Sequence, residues 1–237
     1  MSFKLVKLHA TGSTNDDLKV RFRESELTQL TTIYTDHQTA GRGQMGAKWV
    51  SEPYKNLTFS TLLTVSVAGL SDFEINKFVT VALVEWLRKK LHVHAVIKWP
   101  NDILSVNHKL AGLLIENIYK GSTRECSIVG IGLNVNQTDF QSFAKAISLC
   151  QITGKKYDLE ELLIDFLTLL KTELKHPEKT IARYESYLFK FMQTSIFRKN
   201  GIEFTAIVSG TDNLGKLLLD HNGTLHSYDL KEVEWVY

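Results

Sequence analysis

Apolar and polar residues follow two different spacings along this chain, and each spacing predicts one kind of element. Alternation of apolar and polar residues predicts a strand over residues 3–9, and residues 31–36 and 57–67 have the composition of two further strands. Residues 13–23 begin with a serine that fits an N-cap, and they predict a short helix. Apolar residues at helical spacing after a Ser-Asp-Phe-Glu capping box predict a long amphipathic helix over residues 72–91.

The middle of the chain has the pattern of a β-meander, in which apolar runs alternate with turn residues. Four strands are predicted there, over residues 95–99, 103–106, 109–119 and 124–135. Helical segments follow: a weak one over residues 139–150, a strong one capped at Asp158, and a third from Pro177 to about Phe191.

The end of the chain differs in character, because short strands and tight turns replace the helices. Strands are predicted over residues 202–208, 216–220, 224–228 and 233–237. Asn222-Gly223 is typical of a type I′ hairpin turn. The pattern predicts an α+β fold with two domains, a larger one over residues 1–192 and a small SH3-like β-barrel over residues 193–237.

Composition and charge are those of an ordinary soluble globular protein. Hydrophobic residues make up 43% of the 237 residues, and 28 basic against 26 acidic residues give a net charge of +2. This balance gives no electrostatic reason to expect nucleic-acid or membrane binding. Cys126 and Cys150 are too few and too far apart for a zinc site or a disulfide framework, so free thiols are expected. With no signal peptide or membrane-spanning run, the chain is predicted to be cytoplasmic.

A glycine-rich segment, residues 35–49, lies between two predicted strands and carries the first candidate chemistry. Gly41, Gly43 and Gly46 disfavour a helix or strand, and they allow backbone N–H groups to approach an anionic ligand closely. Arg42 offers a planar fork for a carboxylate or a phosphate. Taken alone, such a segment is more typical of a mobile surface hairpin.

Glycines also occur inside the predicted meander strands, at Gly112, Gly130 and Gly132. Glycine weakens a strand, and a frequent reason for its presence is a ligand that lies flat against the sheet. Bulges without a ligand are the alternative explanation. Lys109 begins its strand and is expected to point toward the face that these glycines leave open.

Four further segments accompany the glycine-rich one: Ser13 to Asn15, Lys98 to Asp102, Lys109 to Glu116, and Gly130 to Asn136. In this order and at these intervals, the five segments resemble those of biotin–protein ligases, the enzymes that attach biotin to carboxylase carrier domains. The resemblance covers nearly the whole chain, and its most specific parts are the Lys-Trp-Pro-Asn-Asp and Lys-Leu-Ala-Gly blocks. It implies a class II synthetase-like mixed sheet with flanking helices and the activity of a biotin–[acetyl-CoA-carboxylase] ligase.

The resemblance also implies roles for individual residues. The implied catalytic residues are Lys109, Arg42 and Asp102, and Asp102 either orients the acceptor amine or helps to hold a metal ion. The residues implied to bind biotin are Ser13, Thr14, Gln38, Gly41, Arg42, Lys109, Gly112 and Gly132. The residues implied to bind ATP are Arg42, Gln44, Trp49, Asn101, Lys109 and Asn134. Mg²⁺ is implied as a cofactor held mainly by ATP, with no certain protein ligand.

Without the resemblance, several of these residues have simpler explanations. Ser13 is better explained as a helix cap alone. Gln38 and Lys109 are better explained as solvated side chains, and Trp49 is equally well explained as a residue that packs on the following strand.

The chain departs from the family pattern within the glycine-rich segment. Gln44 stands where many relatives have arginine, and Ala47 stands where a basic residue is frequent. A weaker hold on the adenylate phosphate is therefore expected, which Lys48 offsets in part. The Ser13-Thr14-Asn15 segment comes so early that no N-terminal helix-turn-helix is expected, and direct DNA binding is not predicted.

Two other functions stay open at this point. A lipoate-type ligase of the same fold would need an apolar tunnel in place of polar groups for the ureido ring of biotin. A non-catalytic regulator that binds a nucleotide or an acyl group would not need Lys109, Arg42 and Asp102 together. The implied partners are biotin, ATP and a biotin carboxyl carrier protein, and the family's sheet edge also allows a homodimer.

Overall fold

The computed structural model describes residues 3–64, 67, 69–140 and 145–236, which form a mixed α+β fold. In chain order the elements are β1 (Leu5–Thr11), α1 (Thr14–Glu24), β2 (Thr32–Gln38), β3 (Leu57–Leu63), α2 (Asp72–Leu91), β4 (Val96–Lys98), β5 (Asp102–Ser105), β6 (His108–Lys120), β7 (Thr123–Leu133), α3 (Leu149–Thr153), α4 (Leu159–Glu173), α5 (Pro177–Ile181), β8 (Thr194–Lys199), β9 (Ile202–Thr211), β10 (Leu217–His221), β11 (Thr224–Tyr228) and β12 (Glu234–Val236). Within these ranges, no helix combines the length and the apolar character that crossing a bilayer requires.

The larger sheet has seven strands in the order β1-β2-β3-β7-β6-β5-β4. β1 and β2 pair in parallel because helix α1 connects them, whereas the other neighbouring strands pair antiparallel. The predicted meander is present as β4 to β7. It brings β7 back against β3, so strands far apart in the sequence meet at the centre of the sheet.

Helices cover both faces of this sheet. Successive residues of a strand point to opposite faces, so each face carries side chains against which a helix packs. Leu18 of α1 packs on one face with Ile33 of β2 and Leu62 of β3. On the opposite face, Trp86 of α2 and Phe166 of α4 pack edge to face in the main core. The predicted capping box at the start of α2 is confirmed, since both of its hydrogen bonds are present.

The smaller sheet has five antiparallel strands in the order β11-β10-β9-β8-β12. It lies near the end of β4 and the residues that follow that strand. The indole N–H of Trp99 donates to the carbonyl of Gly215 at 2.8 Å. The backbone N–H of Phe189 donates to the carbonyl of Ile97 at 2.7 Å. These bonds join β4 and the residue that follows it to the turn before β10 and to the chain that leads into β8.

The helix predicted over residues 177–191 is wrong in its length. α5 ends at Ile181, and a 3₁₀ turn follows at Glu185–Tyr187. Leu188 then pairs with Ile97 of β4, and this extended pairing along the edge of the larger sheet replaces further helix.

The described helix in the region of the weak helix predicted over residues 139–150 begins only at Leu149. Residues 141–144 of the predicted range lie outside the described residues. The helix that forms is α3, which begins after a capping box made by Ser148 and Gln151. The strand predicted over residues 57–67 ends at Leu63, and residues 65 and 66 also lie outside the described part.

Both cysteines are free thiols, as expected. Cys126 is buried beneath α1, and burial, with a smaller contribution from Glu125, raises the pKa of its thiol to about 11. A thiol with so high a pKa is a poor nucleophile at neutral pH.

Candidate active site

A cavity of about 780 Å³ opens between the larger sheet, the smaller sheet and residues 41–49, the Gly-rich loop. Most of the predicted site residues line it, namely Ser13, Thr14, Gln38, Arg42, Gln44, Trp49, Asn101, Asp102, Lys109, Gly112 and Gly132. Gly41 and Asn134 lie outside the lining. Residues from all five of the segments singled out in the sequence therefore meet at one place.

The floor of the cavity is a strip of glycine and small polar residues that crosses three neighbouring strands. Gly112 of β6 is paired with Gly132 of β7, which is paired in turn with Thr58 of β3. Gly130 and Ser60 are paired in the same way. The register shifts of these strands fall at other residues, so β-bulges do not account for the glycines.

Each floor glycine has a side chain of the site lying directly on it. A Cβ atom on Gly132 would overlap the indole of Trp49, and one on Gly130 would overlap the amide of Asn15. A Cβ atom on Gly112 would lie 3.2 Å from the ammonium nitrogen of Lys109. Gly130 and Gly132 thus allow other parts of the chain to approach the sheet closely, and at Gly112 the approach is tight but less strict.

Lys109 and Asp102 form an ion pair in the lining of the cavity. The ammonium nitrogen of Lys109 lies 2.6 Å from a carboxylate oxygen of Asp102, and 5.9 Å from the centre of the Trp49 ring. The predicted direction of Lys109, toward the face opened by the glycines, is confirmed by its contact with the floor at Gly112.

The Gly-rich loop folds back on itself as a tight hairpin. The N–H of Gly43 donates to the carbonyl of Ala47 at 2.7 Å, and the N–H of Trp49 donates to the carbonyl of Gly41 at 3.0 Å. Gly41 closes this hairpin, since a Cβ atom there would lie 2.5 Å from both the Gln38 side chain and the Trp49 carbonyl. Its contribution to the site is therefore to the shape of the loop.

Arg42 reaches from the loop to acidic residues at the edge of the cavity. Its guanidinium lies 2.5 Å from a carboxylate oxygen of Asp16 and 3.7 Å from one of Glu116. Glu116 is also held by Lys19 at 2.5 Å. The two carboxylates that pair with Arg42 also contact a second cation or solvent. Replacing them by an anionic ligand therefore costs little free energy.

A network of neutral polar groups forms the other end of the cavity. The carbonyl oxygen of the Gln38 side chain accepts from the backbone N–H of Thr14 at 3.0 Å. The hydroxyl oxygen of Ser60 lies 2.7 Å from Thr14 Oγ1 and 2.5 Å from Asn15 Oδ1, so it is within hydrogen-bond distance of both. Ser13 is at the N-cap position of α1, but its side chain makes no capping bond, so its hydroxyl is not used by the helix.

Asn134 is buried, and the structure does not bring it to the cavity. Its amide donates at 3.2 Å to the carbonyls of both Lys109 and Ile147. The side chain therefore holds the backbone of Lys109 in position. Asn101 does line the cavity, and its amide also donates to the carbonyl of Leu113 at 2.6 Å.

The structure adds residues that the sequence did not assign to the site. Asn15 and Glu116 lie within segments that carry the resemblance, so their position was a usable signal. For Ser60, the sequence showed only a small residue within a predicted strand, which does not indicate a site residue. Nothing in the sequence indicated the cavity wall that the smaller sheet supplies. This wall consists of Phe197, Leu217, Leu230, Lys231, Val233, Glu234 and Trp235.

The sequence pattern of the biotin/lipoate A/B protein ligase family matches residues 8–134, which is more than half of the chain. The chain belongs to this family. The matched range contains the floor, the Gly-rich loop, Lys109 and Asp102, so the family assignment and the site geometry rest on the same residues.

Curated relatives of this ligase-family chain are similar over most of its length. The bifunctional ligase/repressor BirA of Bacillus subtilis (strain 168) is 31% identical over 203 residues, which is 81% of this chain and 62% of that protein. The chain therefore spans less than two thirds of that relative. The biotin–[acetyl-CoA-carboxylase] ligase of Mycobacterium tuberculosis is 25% identical, over 90% of this chain and 82% of that protein.

The same family supplies similar solved structures. The biotin protein ligase from Aquifex aeolicus in complex with biotin and ATP superposes with a TM-score of 0.80 at 28% identity, and 98% of each chain is covered. Both sheets of the present chain thus belong to the shared architecture.

Proposed function

We propose that this chain activates biotin with ATP to give biotinyl-5′-AMP and pyrophosphate, and then transfers biotin to a lysine of a carrier domain. The observation that carries the proposal is a cavity with two chemically different ends. Thr14 and Gln38 form a neutral polar end, and Lys109 and Asp102 form a charged part. A ureido ring both donates and accepts hydrogen bonds, as the neutral end can, while a reacting carboxylate and phosphate need cations.

In the first step, a carboxylate oxygen of biotin attacks the α-phosphorus of ATP as the bond to pyrophosphate breaks. Negative charge grows on the phosphoryl oxygens, and preorganised cations stabilise it. Lys109 lies on the cavity floor at Gly112, where it meets that charge. Arg42 lines the same cavity and exchanges the carboxylate of Asp16 for the phosphate.

In the second step, the neutral amine of the acceptor lysine attacks the biotinyl carbonyl carbon, and AMP leaves with the bonding electrons. Asp102 is our candidate for orienting that amine. Its carboxylate holds Lys109 at 2.6 Å and becomes available when Lys109 turns to the phosphate. A carboxylate placed beside an attacking amine accepts its hydrogen bond and draws off its proton.

ATP enters as its magnesium complex, so Mg²⁺ is part of the substrate. Among the described residues, no group of three or more His, Cys, Asp or Glu side chains could hold a metal ion. The cavity lining contains the carboxylates of Asp102 and Glu234. One or two carboxylates together with the phosphates are the usual protein contribution to a Mg²⁺ site, so the lining fits magnesium-bound ATP.

The adenine ring is proposed to lie near Trp49 and Asn101, which both line the cavity. Among the described residues, the indole nitrogen of Trp49 has no hydrogen-bond partner, and it is buried. Asn134 is proposed to act on the nucleotide only through the backbone of Lys109.

The polar end of the cavity favours biotin over lipoate, because a dithiolane ring offers no hydrogen bonds to Thr14 and Gln38. The presence of both Lys109 and Asp102 supports an enzyme over a non-catalytic regulator.

The finer predictions are part of this proposal. The small sheet is proposed to be an SH3-like barrel with a boundary near residue 193. The acceptor is a biotin carboxyl carrier protein, a homodimer is allowed by the exposed sheet edge, and the expected location is cytoplasmic, without DNA binding.

One assay separates the three functions. The purified chain is incubated with ATP, Mg²⁺ and either biotin or lipoate, and pyrophosphate release is followed. Release with biotin alone supports the proposal, and release with lipoate alone would identify a lipoate-type ligase. Binding of biotin without any release would identify a regulator. Transfer of labelled biotin to a purified carrier domain then tests the second step.

A further inference from the structure

Lys231, in the turn between β11 and β12, connects the smaller sheet to the tip of the Gly-rich loop. Its ammonium nitrogen lies 3.3 Å from the carbonyl oxygen of Met45, a residue 186 positions earlier in the chain. Both residues line the cavity. We propose that Lys231 is a positioning residue that holds the Gly-rich loop closed over biotinyl-5′-AMP. The identity of that ligand rests on the proposed function, whereas the contact itself does not.

The turn that carries Lys231 is fixed by bonds on both sides. The backbone N–H of Glu232 donates to the carbonyl of Asp229 at 3.1 Å, and the Glu232 carboxylate accepts from the backbone N–H of Asp229 at 2.8 Å. Lys216 holds the side chain of Asp229 at 2.7 Å. Lys231 has a φ of 68°, which a residue with a side chain adopts only where its surroundings impose it.

The smaller sheet is itself anchored beside the reaction centre. The ring of Trp235, four residues after Lys231, lies 4.9 Å from that of Phe197 and 5.6 Å from that of Phe189, measured between centroids. Trp99, three residues before Asp102, bonds to Gly215. Lys231 therefore starts from a point that is fixed relative to the cavity.

The tip of the Gly-rich loop depends on this contact. In the described part of the chain, the bond from Lys231 is the one hydrogen bond that ties residues 43–47 to anything outside the loop. Met45 has a φ of 50° and an exposed side chain, so its carbonyl, and not its side chain, makes the attachment. Gln44 and Ala47 add no charge of their own to the loop. Lys231 therefore acts on the loop backbone at its tip and does not replace a phosphate-binding cation.

The test compares Lys231→Ala and Lys231→Met, which lose the donor, with Lys231→Arg, which keeps one. Lys120→Ala is the matched control, because Lys120 is an exposed lysine outside the cavity lining. Two quantities are measured: amide exchange at Gly43 and Ala47, and the rate at which added biotinyl-5′-AMP dissociates. We expect the alanine and methionine variants to release the adenylate about fivefold faster, which equals about 1 kcal/mol.

The same two variants should exchange faster at these loop amides, both free and with the adenylate bound, while the arginine variant and the control match the parent chain. Unchanged exchange would overturn the proposal. Faster release with unchanged exchange would also overturn it, since Lys231 would then contact the ligand directly. If biotinyl-5′-AMP did not bind, the proposed function would fail, and exchange in the free protein would still decide whether Lys231 holds the loop.

Discussion

The ammonium of Lys109 is paired with the carboxylate of Asp102 at 2.6 Å, directly above Gly112 in the floor of the cavity. The pair keeps a cation and a carboxylate side by side at the place where the two proposed steps would need one and then the other. In the proposed mechanism, the charge on Lys109 serves adenylate formation, and the charge on Asp102 serves the attack of the amine.

Lys109→Ala is expected to lower the rate of adenylate formation by a hundredfold or more. The lost stabilisation of transition-state charge is on the order of 3 kcal/mol. Pyrophosphate release measures the effect, and thermal unfolding checks that the variant remains folded. Near-normal release in a folded variant would contradict the role of Lys109.

Gly132→Ala is expected to lower activity while leaving most of the stability intact. The new Cβ atom would overlap the indole of Trp49, so the indole and the loop that ends with it must move off the floor. Gly69→Ala is the control, since a Cβ atom at that exposed glycine would meet none of the described residues within 4 Å. We expect a loss of at least about tenfold in kcat/KM for ATP, or 1.4 kcal/mol. Equal kinetics in the two variants would show that Trp49 does not need the floor.

Gln44→Arg is expected to slow the release of biotinyl-5′-AMP about tenfold, or 1.4 kcal/mol. The side-chain oxygen of Gln44 is buried and finds no hydrogen-bond partner in the described part of the chain, and the residue lines the cavity. An arginine there would pair with the adenylate phosphate, which a neutral amide binds more weakly. In a chase with unlabelled biotin and ATP, equal rates would mean that residue 44 does not face the phosphate. A faster rate would point to a specific bond made by glutamine.

Binding of biotin or biotinyl-5′-AMP is expected to increase the protection of the Gly-rich loop against hydrogen exchange. Three glycines give the loop little intrinsic order, so the ligand supplies contacts that the loop lacks. Protection that stays the same from Gly41 to Trp49 would exclude the loop as the lid of the site.

Glu85→Gln is expected to destabilise the protein at neutral pH by about 2 kcal/mol and less in acid. Glu85 is 1% exposed; burial alone raises its pKa, but hydrogen bonds from Lys89 and Arg183 lower the pKa below its usual value. A lowered carboxyl pKa contributes stability above the unfolded-state pKa, and this contribution is lost as the pH falls through the folded-state pKa. Urea unfolding near pH 7 and pH 3.5 measures the difference, with exposed Glu178→Gln as control. A pH-independent difference would contradict the assignment.

Local patterns predicted most elements of this fold, because their signals are local as well. The capping box before α2 and the Asn222-Gly223 hairpin lie within a few residues of the structure that they specify. The length of α5 was not predictable, because the pairing of Leu188 with Ile97 joins residues far apart in the sequence.

The position of a residue in the cavity could be predicted where the family resemblance covers its segment, as for Lys109 and Thr14. Asn134 shows the limit, since an amide that holds a backbone and an amide that binds a ligand look the same in a sequence. The wall that includes Lys231 had no signal, because its position follows from how the two sheets pack.

At Gly112, Gly130 and Gly132 the floor of the cavity offers backbone alone, and the space above them is taken by side chains of the protein itself. These three positions therefore give selection no side chain through which to change the acyl group that the proposed enzyme accepts. New specificities must arise at the walls, for example at Gln38 or Thr14, where a side chain can be exchanged without lifting the loop. Enzymes that share this floor can diverge in substrate while keeping the same three glycines.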